Sequence, residues 1–86
     1  MKLNMYSIND SKAESFLPPF FMQSDSIARR TFGDCCNDVN HAFCKHPEDY
    51  TIFKLGEFDD STCKVDLLAT PFSLGLGTEY VVGGES

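Results

Sequence analysis

A chain of 86 residues has room for one domain and one modest core, because a domain of this size buries only about 60–65% of the surface its unfolded chain exposes. Thirteen acidic residues against seven basic give a formal charge of −6, which sets the average field against a phosphate backbone, since nucleic-acid affinity comes from cations that release counterions. No apolar run approaches the roughly 18 residues of a membrane helix, and Asn4, Ser7, Asn9 and Asp10 stand where a secretion signal needs an apolar core; the four cysteines are therefore expected as free thiols in a reducing compartment.

The first element is a strand over residues 2–9, where Leu3, Met5 and Ser7 take one side and Lys2, Asn4, Tyr6 and Ile8 the other. Asn9-Asp10-Ser11-Lys12 is turn chemistry. Residues 15–23 are aromatic-rich and read as a second strand, with Pro18 and Pro19 at an edge or at the strand's entry because they lack a backbone donor. Ser24 or Asp25 then caps a helix whose apolar stripe is Ile27, Ala28, Thr31, Phe32, Cys35 and Val39, weakened at Gly33 and ending near Asn37–Asn40.

Residues 41–49 are a connection with room for one short helical turn. Tyr50 to Phe58 alternates as a strand, with Tyr50, Ile52, Lys54, Gly56 and Phe58 on one side. Asp59-Asp60-Ser61-Thr62 turns it back into a second strand, Cys63 to Ala69, which Pro71 ends. Residues 72–82 mix apolar side chains with glycine and read as an arm packed on the sheet or on a second subunit; 83–86 read as a flexible tail. The expected fold is α+β: one domain over residues 1–82, a small mainly antiparallel sheet in β-β-α-β-β order with one helix packed on it.

Cys35, Cys36, His41, Cys44 and His46 cluster in sequence, but zinc calls for paired knuckles. Here Cys35 and Cys36 are adjacent and point about 100° apart on a helix, and Cys63 stands alone. They are expected as small buried thiols and surface histidines, with no metal. Cys44 beside His41 or His46 lacks an orienting group and an oxyanion site for nucleophilic chemistry. Glu48-Asp49 and Asp59-Asp60 lack the alternating ligands of a calcium loop, and Gly75-Leu76-Gly77 lacks the Lys-Ser or Lys-Thr of a phosphate loop. No enzyme and no cofactor is expected. The one nucleic-acid feature is a sparse basic set, Arg29, Arg30, Lys45, Lys54 and Lys64, among aromatics such as Tyr6, Phe20, Phe21, Tyr50 and Phe58 that could stack bases or simply form the core.

Several segments, taken in order, carry a resemblance: Asp10-Ser11-Lys12-Ala13, Leu17-Pro18-Pro19-Phe20-Phe21, Phe32-Gly33-Asp34, His46-Pro47-Glu48-Asp49-Tyr50, Leu55-Gly56-Glu57-Phe58-Asp59-Asp60 and Ser73-Leu74-Gly75. From about Tyr6 to Tyr80 the chain resembles the small nonstructural protein of gokushovirus-type microviruses, the group that includes the chlamydial phages. That family is likened to the packaging-switch protein of the isometric single-stranded DNA coliphages. The resemblance implies a role in phage DNA replication or packaging, in the cytoplasm of the bacterial host and outside the mature virion. Cys63 departs from it, standing where Gly or a polar turn residue is expected.

Two functions follow as expectations. The first is binding of single-stranded DNA, or of the replication complex assembled on it, through Arg29, Arg30, Lys45, Lys54 and Lys64, as a homodimer. The second is a protein-interaction module that contacts the replication initiator, a host factor or the procapsid without touching DNA. His46, Glu48, Asp49 and Tyr50 form the expected recognition loop, since loops held on a rigid sheet commonly carry function.

Overall fold

A computed structural model describes residues 1–82, so the expected tail at 83–86 lies outside the described residues. The architecture is α+β. Strand β1 (Lys2–Asp10) is central to one half of an antiparallel sheet. Strands β2 (Ser15–Phe16) and β3 (Phe20–Met22) lie along one edge of β1, and β4 (Tyr50–Asp59) along the other. Strand β5 (Lys64–Leu76) then pairs with β4 and forms the far edge. Helix α1 (Asp25–Cys36) packs across one face, and a single-turn helix α2 (Ala42–Lys45) leads through a 3-10 turn at Pro47–Asp49 into β4.

Helix α1 starts where the sequence places its cap: Ser24 is extended, and its hydroxyl accepts from the Ile27 amide at 3.2 Å. Ala28, Phe32 and Cys36, one turn apart, are the buried face of α1. They meet Tyr6, Ile8, Ile52 and Leu74 from the sheet and Phe43 from α2. Each large apolar side chain so buried contributes about 1.5–3 kcal/mol. Val39 does not belong to this stripe. It lies beyond the helix and is exposed, as is Ile27, and the deeper cysteine is Cys36, not Cys35.

Three expectations on the strands are corrected. The second strand is broken in two, so the order is β-β-β-α-β-β. Pro18 and Pro19 have no donor for the β1 ladder, so pairing stops at Phe16 and resumes at Phe20. Nor does Pro71 end β5. The ladder lapses over Leu68–Pro71, which oppose Leu55, resumes with Phe72 opposite Lys54, and shifts once more at Leu74, between Ser73 opposite Phe53 and Gly75 opposite Ile52. A bulge needs no amide donor, so proline is tolerated there. Residues 72–76 are therefore strand, part of the expected arm on the sheet.

The third correction concerns the faces. Leu55 has no partner on β1, where Met5 pairs with Gly56 and Tyr6 with Lys54. It has none on β5 either. One extra residue reverses the side on which every later side chain emerges. Lys54 and Ile52 thus share the helix side, whereas Phe58 joins Phe53 on the opposite side.

The chain then closes on itself. After β5 a 3-10 turn (Gly77–Glu79) brings Tyr80 onto α1, its ring 5.1 Å from that of Phe32 and its hydroxyl donating to the Leu74 carbonyl at 2.7 Å. Asn37 fastens this segment, donating to the carbonyls of Gly33 and Tyr80 and accepting from the Val82 amide. No helix among the described residues is long and apolar enough to cross a membrane.

Candidate functional site

The five basic residues proposed from sequence are spread along the molecule. Arg29 and Arg30 are exposed on α1, and Lys45 is exposed on α2. Lys64 begins β5, paired in register with Asp59 at the far end of β4 from Tyr50 and α2. Nine residues of strand separate those ends, about 30 Å. Arg29 and Lys54 are the pair that share neighbours. Lys54 Nζ lies 3.7 Å from Asp25, which accepts the Tyr6 hydroxyl at 2.6 Å, and the charge of Arg29 bears on the phenols of Tyr6 and Tyr80. Burial, reinforced by the hydrogen bond to Asp25, pushes the Tyr6 phenol up to about 12.

Several cations have acidic partners. Besides Lys54 with Asp25, Lys64 lies 3.9 Å from Asp66 and Lys2 3.8 Å from Glu57. On exposed side chains such pairs are worth little to stability, but they dilute the local positive field.

The expected recognition loop divides. His46 and Glu48 are exposed, 3.9 Å apart, and with Asp49 they bring three potential ligand atoms within 4.8 Å of one another. Tyr50 belongs instead to the core: its ring lies 4.4 Å from that of Phe43. Pro47 fixes the loop from behind, because Gly77 lies so close that a Cβ there would run into the Pro47 carbonyl. His41 and Cys36 also have structural work. His41 caps α2, Nδ1 accepting from the Phe43 amide at 3.1 Å. Cys36 is fully buried, and burial pushes its thiol up to about 11, so it carries no thiolate near neutral pH.

What sequence reasoning missed is the sidedness of the sheet. Register and alternation assign Lys2, Asp10, Lys54, Glu57, Asp59, Lys64 and Asp66 to the helix side. They are all the charged residues of β1, β4 and β5. The opposite, open side carries Leu3, Met5, Phe53, Phe58, Val65 and Leu67, joined by Phe16 and Phe21 from the short strands. Phe16 packs edge-on against Phe53, and Phe21 lies tilted against Phe58. No helix among the described residues covers them. The signal for this side lay in the sequence as apolar residues at alternate positions, but the bulge at Leu55 hid its continuity.

On the helix side an open concavity of about 530 Å³ is lined by Asp25, Lys54, Leu68, Ala69, Thr70 and Phe72. It sets an exposed aromatic ring beside a cation, because Phe72 is the register partner of Lys54. A tighter apolar pocket of about 270 Å³ lies between α1 and the β2–β3 segment, lined by Leu17, Phe20, Met22, Phe32 and others.

No curated protein and no solved structure matches the chain. A family model described as "Phage ORF5 protein" matches residues 3–80, which takes in all of the strands but Lys2, both helices and the closing turn up to Tyr80. The chain belongs to the phage ORF5 protein family.

Proposed function

We propose that this phage protein is a nonstructural factor of the gokushovirus type, comparable in role to the packaging-switch protein of the isometric coliphages. It acts while single-stranded genomes are made and packaged, in the host cytoplasm, by binding and not by catalysis. Its contact is with the replication or packaging complex assembled on the DNA. The observation that carries this reading is the placement of charge. Cations are dispersed, three of them stand beside carboxylates, and the whole chain is acidic at −6. A phosphate-tracking groove needs the reverse. Mixed charge on one face instead suits a protein partner, where it sets orientation and encounter rate.

One observation favours a second reading, direct contact with single-stranded DNA. Phe72, exposed beside Lys54 and within reach of the α1 end that bears Arg29, offers a stacking surface next to positive charge. Fluorescence anisotropy with a labelled single strand and with duplex, at low and physiological salt, separates the two. Complex-mediated action predicts no binding of either form at low salt, with capture of phage replication or procapsid proteins from infected cells. Salt-sensitive preference for the single strand, lost in Arg29→Ala/Arg30→Ala or Lys54→Ala, would establish the second reading and overturn the first.

A further inference from the structure

The open side of the sheet needs an occupant. It is an uncharged, aromatic-rich face on a protein that otherwise carries charge throughout. Leu67 is 66% exposed, Phe16 50%, Val65 45% and Phe21 42%. We propose that a second copy of this chain covers it, giving a homodimer in which two sheets pack face to face and the two helix-bearing faces point outward.

Three features select a second copy over another partner. The first is electrostatic. Each chain carries −6, so two copies repel unless they meet where charge is absent. The strands supply such a surface, because their charged residues all fall on the helix side. The second is geometric. Four strands in width at ~4.8 Å, and nine residues of β1 at ~3.3 Å, give a face of roughly 19 by 30 Å. Its flat area is on the order of 600 Å², before the relief of the side chains is counted, and a standard interface uses about 800 Å² per partner. An antiparallel sheet face also packs on its own copy as an aligned sandwich, through a twofold axis. The third is the small core. The buried hydrophobic residues lie on the helix side of the sheet, whereas a sandwich would bury both sides, as a thinly stabilised domain requires. The interface is thus the open side and not a crossing C-terminal arm: residues 72–82 are already held on their own α1 and β4.

The test is sedimentation equilibrium of the full chain and two open-side variants, Leu67→Glu at one edge of the face and Phe16→Ser at the other. Both side chains are exposed in the single chain, so neither change touches its core, and circular dichroism checks that each variant keeps the fold. Val39→Glu, exposed in the connection between α1 and α2, is the control. The parent and Val39→Glu should sediment at twice 9.6 kDa at roughly 10–100 µM. Leu67→Glu and Phe16→Ser should shift toward 9.6 kDa, with at least tenfold weaker association. A parent that stays at 9.6 kDa throughout this range overturns the proposal. So does a dimer indifferent to both open-side changes, or one broken equally by Val39→Glu. If Leu67→Glu alone fails to fold, Phe16→Ser decides.

Discussion

Burial takes the Tyr6 phenol out of water, and its hydroxyl donates to Asp25 across 2.6 Å. The folded chain therefore holds the neutral form more tightly than the unfolded chain does. With the folded value near 12 against an ordinary 10, this contribution is fully present below pH 10 and disappears as the pH climbs through 12. Two pH units correspond to about 2–3 kcal/mol. Burial shifts Cys36, Tyr50 and Tyr80 the same way. Urea unfolding of the parent should therefore weaken steeply between pH 9 and pH 12. Tyr6→Phe should cost about 1–2 kcal/mol at neutral pH, where Asp25 loses its shortest hydrogen bond, and should flatten the alkaline loss. A loss as steep as the parent's would place its origin elsewhere. Cys63 shows what single residues disclose in advance. It stands where the family resemblance calls for Gly or a polar turn residue, and its φ of 63° lies in the left-handed region that favours glycine. Glu14, with φ 56°, also lies in the left-handed region, at the last residue of the tight turn that joins Asp10 to its partner Ser15.

At the scale of elements, local signals were legible and pairing was not. Ser24 announced α1, and the acidic turn announced the β4–β5 hairpin: Asp59 accepts from the Ser61 amide and hydroxyl, and the Cys63 amide closes on the Asp59 carbonyl. The return of β5 after Pro71 left no local sign, since its partners Lys54, Phe53 and Ile52 lie well back in the chain. The Leu55-Gly56-Glu57-Phe58-Asp59 segment, noted as a family mark, proves to be structural throughout. Leu55 is the bulge, Gly56 the point of closest strand approach, Phe58 an open-side aromatic and Asp59 the turn. A Cβ on Gly56 would run into the Asp66 carbonyl and sit 2.8 Å from the Leu67 Cα. These are backbone atoms and cannot rotate away. Gly56→Ala should cost about 1–3 kcal/mol and free the β5 amides to exchange early, both readable by thermal melting and hydrogen exchange. A neutral Gly56→Ala would mean that β5 adjusts freely and that the hairpin is not held at this point.

Over the whole molecule, thiol chemistry reports how far the fold opens as a unit. Cys63 is exposed, whereas Cys36 is buried under α1 with its thiol pushed well above the ordinary range. Alkylation should modify Cys63 at once and Cys36 only at a rate set by the global unfolding equilibrium, rising with urea as the melt does. Labelling of Cys36 at a urea-independent rate would show α1 opening on its own. The net charge, legible at sight, directed attention away from a phosphate groove. The open side was not legible, because nothing local in the sequence of β4 marks Leu55 as unpaired. That residue acts as a change of reading frame in the pleat. Before it, even-numbered positions of β4 face the helix; after it, odd-numbered ones do. An uninterrupted β4 would put Glu57 and Asp59 in the middle of the aromatic face and press Phe58 toward the charged one. One unpaired leucine thus keeps carboxylates off a whole surface, and pairing it into the ladder would turn half of the hairpin inside out while leaving its composition untouched.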